Sequence, residues 1–263
     1  MRKIICDKNF IQNCYHRSER EEPTLINQDD ILIYTFILLE EFYSSPSWAY
    51  ENTINAKYLN YMLSQNHEFR LLGYTSLLLN KMGYTSLTHE PNFEFNHLII
   101  EGLISRDQET VDMISRNIIT VSELEVHFVG AMSEYITQIK KSKYFKNRSK
   151  NTLYHDLNDD YKNHLDNYAQ SLIMLYAKYN LKHKQQELLS IDTFNLRPKD
   201  TNFKHLSAYL KLRAEGDPVL NDQYDYKYFE YLQKGDFLAT DDKLMERVLL
   251  ENNEEHLLIK YRT

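Results

Sequence analysis

Residues 3–10 read KIICDKNF, and the fold turns on their first five positions. Ile4, Ile5 and Cys6 form an apolar run that Asp7 stops, which predicts a short buried strand at Lys3–Asp7. A run of three is too short for the apolar core of a signal peptide. Moving outward, NIITVS at 117–122 is β-branched between polar flanks and predicts a second strand, with DFLA at 236–239 a third. HLLIK at 256–260 predicts a last one. These strands lie between helical stretches, an order that predicts a helix-rich α/β fold around a short, mostly parallel sheet.

The helical stretches follow from spacing. Asp29 or Asp30 caps a helix in which Ile31, Tyr34, Thr35, Leu38 and Phe42 share one face. Further helices are predicted over 52–64, 66–81, 96–104, 107–115, 123–139, 158–181, 203–214, 222–234 and 242–251, with Gly83 and Gly235 as stops. Residues 16–30, 84–96 and 191–202 read as loops. Six glycines and five prolines in 263 residues leave few breakers, which agrees with long helices.

Composition bounds the function classes. Hydrophobic residues make up 42 %, enough to bury a core without covalent staples. Cys6 and Cys14 are too few for a disulfide framework or a zinc cage, and fit a reducing cytoplasm. The most apolar window, Ile31–Leu39, is too short to span a bilayer, so no membrane is expected. No Gly-Lys-Ser/Thr or Gly-x-Ser-x-Gly word occurs, which sets aside phosphate-loop NTPases and serine hydrolases. The ten histidines show no zinc spacing. A net charge of −7 excludes purely electrostatic attachment to nucleic acid unless basic residues cluster locally.

Acids stand at three strand ends: Asp7, then Glu123 and Glu125, then Asp241 and Asp242. Ligand sites in open α/β sheets lie beyond the carboxyl ends of the strands. Carboxylates converging there repel unless they hold a cation, and oxygen-only donors favour Mg²⁺ or Mn²⁺. Two words carry more. IICDKNF is a strand followed by Asp-x-Asn. DYKYFEYLQKGDFLATDDKLMERV, residues 225–248, opens a helix with Asp225, turns at Gly235, and follows a short strand with Thr-x-Asp.

This order resembles the PIN-domain nucleases, whose first strand ends in Asp-x-Asn, whose second leads into a helix bearing a Glu, and whose third acid precedes a Thr-x-Asp word. The resemblance implies a three-layer α/β/α core formed by one domain over 1–263, with helical insertions at 10–115 and 140–220. It implies that Asp7, Glu125 (or Glu123), Asp225 and Asp242 are catalytic metal ligands, with Asp241 as an extra one. Asn9 and Thr240 would orient them. The implied activity is metal-dependent hydrolysis of phosphodiester bonds, most naturally in RNA. A homodimer and a regulatory protein partner are family expectations.

Each acid also has a plain structural reading. Asp7 could terminate a strand, Asp242 or Thr240 could cap a helix, and Asp225 could be a first-turn acid. The basic stretch Lys140, Lys141, Lys143, Lys146, Arg148 and Lys150, with Tyr144 and Phe145 between, suits phosphates and stacked bases, or is a solvated loop. Two alternatives to the nuclease stand: a non-enzymatic helical binding protein of the immunity or adaptor type, and an inactive PIN fold that binds RNA.

Overall fold

The computed structural model describes residues 1–43, 54–81, 130–147, 151–180, 203–216 and 225–261. Five parallel strands form one sheet: β1 Lys3–Cys6, β2 Ile31–Thr35, β3 His67–Arg70, β4 Asp236–Ala239 and β5 Leu258–Ile259, in the order β3-β2-β1-β4-β5. Ile5 of β1 faces Ile33 of β2 on one side and Leu238 of β4 on the other. Consecutive strand residues point to opposite faces. Ile4, Ile5 and Cys6 are all fully buried, so both faces of the central strand are covered.

The helices are α1 Lys8–Glu19, α2 Phe36–Tyr43, α3 Ile54–Ser64, α4 Tyr74–Lys81, α5 (130–141), α6 Lys143–Asn147, α7 Asp159–Asn180, α8 Lys204–Glu215 and α9 Lys243–Glu251. Short 3-10 turns cover Tyr154–Asp156, Asp225–Tyr231 and Glu255–Leu257. Helix α1 packs against α2 and α3, where Tyr15 meets Tyr58 edge-on at 5.3 Å. Helix α7 packs against α4 and α8, and α8 against α9. Among the described residues, no helix is long and apolar enough to cross a membrane.

The strand expected at 3–7, the strand at 236–239 and the helices near 158–181, 203–214 and 242–251 are present within a few residues. Others differ. Residues 31–42 are a strand running directly into a helix, with no turn residue between them. Residues 66–81 divide into β3 and α4. Helix α1 continues through Glu19 into the expected loop, and 222–234 holds a 3-10 helix from Asp225. Strands β2 and β3 thus belong to the sheet, although they fall within the stretch 10–115 expected to be helical. The strand expected at 117–122 and the helices at 96–104 and 107–115 lie outside the described residues.

Candidate functional site

Strand β1 ends at Cys6, and the next residue, Asp7, does two jobs. Its N–H donates to the Ala239 carbonyl at 3.3 Å, which ties the end of β1 to the end of β4. Its carboxylate Oδ1 accepts the Phe10 N–H at 2.6 Å, capping α1. Beyond Ala239 come Thr240, Asp241 and Asp242. The Asp242 Oδ1 accepts from Leu244 N at 2.7 Å and Met245 N at 2.9 Å, capping α9. The Asp242 N–H donates in turn to the Thr240 hydroxyl at 3.0 Å. The chain winds outward from β1 through β2 to β3 on one side, and β4 and β5 lie on the other. The β1–β4 boundary is therefore the switch point of the sheet, where α/β folds place ligands.

Tyr261, two residues after β5, closes the cluster. Its hydroxyl donates to Asp7 Oδ1 at 3.2 Å, and its N–H donates to Asp241 Oδ1 at 3.1 Å. Its ring meets Phe10 edge-on at 5.1 Å. Burial pushes the Asp7 carboxyl up to about 6, and the charge of Asp241 adds to the rise. Hydrogen bonds from Thr240, Phe10 N and Tyr261 keep it from rising further. The Tyr261 hydroxyl is raised by burial, with the Asp7 and Asp241 charges adding to the shift. Tyr261 was not legible as a site residue: nothing in its spacing marks it beyond an aromatic following an apolar run.

The remaining expected residues divide clearly. Thr240 is buried, its hydroxyl lies 3.5 Å from the Met245 sulfur, and it also lowers the Asp7 carboxyl as a hydrogen-bond partner. Asn9 is exposed on the first turn of α1. Asp225 opens the 3-10 turn that precedes β4. Glu123, Glu125, Arg148 and Lys150 lie outside the described residues. The second strand in chain order is β2, and the helix that follows it bears Glu40 and Glu41. Glu40 is only 6 % exposed, and its charge adds to the burial that raises the Tyr231 hydroxyl. The Lys8 ammonium, next to Asp7, donates to the Glu41 carbonyl at 3.0 Å, so α2 abuts the β1–α1 corner.

Asp7, Asp241 and Asp242 supply only carboxylate oxygens, with the Thr240 hydroxyl beside them. That donor chemistry suits a hard divalent cation. Among the described residues, however, no group of three or more His, Cys, Asp or Glu is placed to hold a metal ion. Asp7, Asp241 and Asp242 thus do not by themselves form a ligand set.

The basic stretch is helical where it is described, not a loop. Lys140 and Lys141 end α5, and the Lys140 ammonium donates to the Gly216 carbonyl at 3.4 Å. Lys143, Tyr144, Phe145 and Lys146 lie on α6, with Lys143 and Lys146 exposed. Comparison with known proteins returns no match: no family model, no curated protein and no solved structure is similar to this chain.

Proposed function

We propose that the chain is a metal-dependent endonuclease with a PIN-like α/β/α core, hydrolysing phosphodiester bonds, most naturally in RNA. One observation carries this reading: Asp7 and the Thr240–Asp241–Asp242 run meet at the switch point of a parallel sheet, with Asp7 buried among hydrogen bonds. Asp7 and Asp242 would hold Mg²⁺ or Mn²⁺, with Asp241 beside them and Asp225 completing the set. Glu125 or Glu123 would supply the further acid. Thr240 and Tyr261 fix the Asp7 carboxylate by hydrogen bonds, as orienting partners of metal ligands do. A bound cation supplies a Lewis acid for the phosphoryl oxygen and a more acidic water.

The capping bonds support a second, non-enzymatic reading. Asp7 and Asp242 each cap a helix, a sufficient structural reason for an acid at either position. Cleavage of labelled single-stranded RNA and DNA with manganese separates the two readings. Metal-dependent cutting that Asp7→Asn and Asp225→Asn both abolish is expected. No cutting of either polymer leaves the binding-protein reading.

A further inference from the structure

Helix α6, the turn at Tyr154–Asp156 and the start of α7 enclose an open cleft of about 560 Å³. That volume falls in the range of small-ligand pockets. Its walls include Lys143, Tyr144, Asn147, Asp156, Asn158 and Tyr161. Tyr144 lies nearly parallel to Tyr161, with ring centroids 6.0 Å apart and planes 11° apart. The Lys143 ammonium sits 5.0 Å from the Tyr144 ring centroid on a long, exposed stem. Asn158 uses its side-chain carbonyl to cap α7 at the Tyr161 N–H, 2.9 Å away, which leaves its NH₂ as a donor. Asn147 is exposed and brings a second amide.

The cleft is set apart from the acid cluster. Helix α9 starts at Asp242 in that cluster and ends at Glu251. The Glu251 side chain accepts the Tyr154 N–H at 2.5 Å, and its carbonyl contacts the His155 ring at 3.1 Å. The nine-residue helix between these contacts is about 13 Å long.

We propose that this cleft takes one nucleotide of a single-stranded nucleic acid, away from the point of cleavage. Beside its contacts with Tyr161 and His164, the Tyr144 ring with an exposed cation and two amides matches a base to be stacked and a phosphate to be neutralised. Asp156, with its side chain 61 % exposed, supplies a carboxylate on the same wall. A carboxylate repels a bare inorganic anion but accepts hydrogen bonds from a base edge, so the site fits a nucleotide better than free phosphate. The proposal rests on the nuclease reading for its substrate class, but its test does not need cleavage.

The test is binding of a short, labelled, single-stranded RNA to the full chain in EDTA, followed by fluorescence anisotropy. Tyr144→Phe retains binding, and Tyr144→Ala weakens it by roughly tenfold, the scale of one stacked base. Lys143→Ala weakens binding and lowers the salt slope by about one. If Tyr144→Ala unfolds, Lys143→Ala and Asn147→Ala carry the test, because both side chains are exposed. Absence of binding in EDTA, or full binding by folded variants at Lys143, Tyr144 and Asn147, overturns the proposal. Binding in EDTA that these variants weaken, together with no cutting in manganese, keeps the cleft and discards the nuclease. Cutting in manganese with the same variants unaffected in binding does the reverse.

Discussion

Asp7 carries an electrostatic cost in the folded protein. Its folded carboxyl sits at about 6, against an ordinary value of 3.8. The native state therefore holds this proton more tightly than the unfolded chain does. Stability conferred by the protonated acid is full below about pH 4 and is lost as the pH rises through about 6. At pH 7 the ionised carboxylate costs the metal-free protein about 3 kcal/mol. Asp7→Asn keeps a side chain that caps a helix as well as Asp does. It should stabilise the protein in EDTA at pH 7 by up to about 3 kcal/mol, and the advantage should fade near pH 4. Urea unfolding of both proteins across that range checks this. Equal stability at pH 7 would mean that Asp7 carries no stored electrostatic cost.

Among the elements, the C-terminal word was legible and the second strand was not, for physical reasons. Residues 235–251 announce themselves through Gly235, a four-residue strand and a capping acid. Gly235 has φ +90, a conformation that disfavours residues with a Cβ, and a Cβ built there meets nothing within 4 Å. Gly235→Ala should therefore cost about 1 kcal/mol through backbone strain alone. A thermal melt reads this directly, and an unchanged midpoint would show that the turn can relax. Strand β2 was hidden because both its faces are buried, which erases the alternation that marks a half-exposed strand. Strand β3, HEFR, was hidden for another reason. It is an edge strand, and edge strands tolerate charge. Glu68 pairs with Lys3 at 2.7 Å, and Arg70 pairs with Asp236.

At the scale of the whole molecule, buried polar contacts tie the Tyr154–Asp156 turn beside the cleft to α7, α8 and α9. Lys211 of α8, 1 % exposed, donates to Glu251 of α9 at 3.0 Å, and Glu251 also accepts the Tyr154 N–H. Asp166 of α7 accepts from Ser207 of α8 at 2.5 Å and from the Tyr154 hydroxyl at 2.7 Å. Removing one partner of a buried ion pair leaves the other charge uncompensated. Lys211→Met should destabilise the protein by roughly 3 kcal/mol, because Lys211 is shared by Glu251 and Glu215, and Glu251→Leu should cost less in that background than alone. Denaturant midpoints of the single and double variants test the coupling, and additive losses would contradict it. Strands β1, β4 and β5 and helices α3, α7, α8 and α9 were legible from the sequence. This network was not, because it joins residues up to 97 positions apart, as Tyr154 and Glu251 are.

The acids at the β1–β4 switch point are proposed to hold a divalent cation. Calorimetric titration of manganese into the wild-type protein at pH 7, beside Asp7→Asn, tests it most directly. The account predicts saturable binding by the wild type and its loss in the variant, with the variant folded and more stable without metal. No manganese binding by the wild type, or undiminished binding by Asp7→Asn, would contradict it.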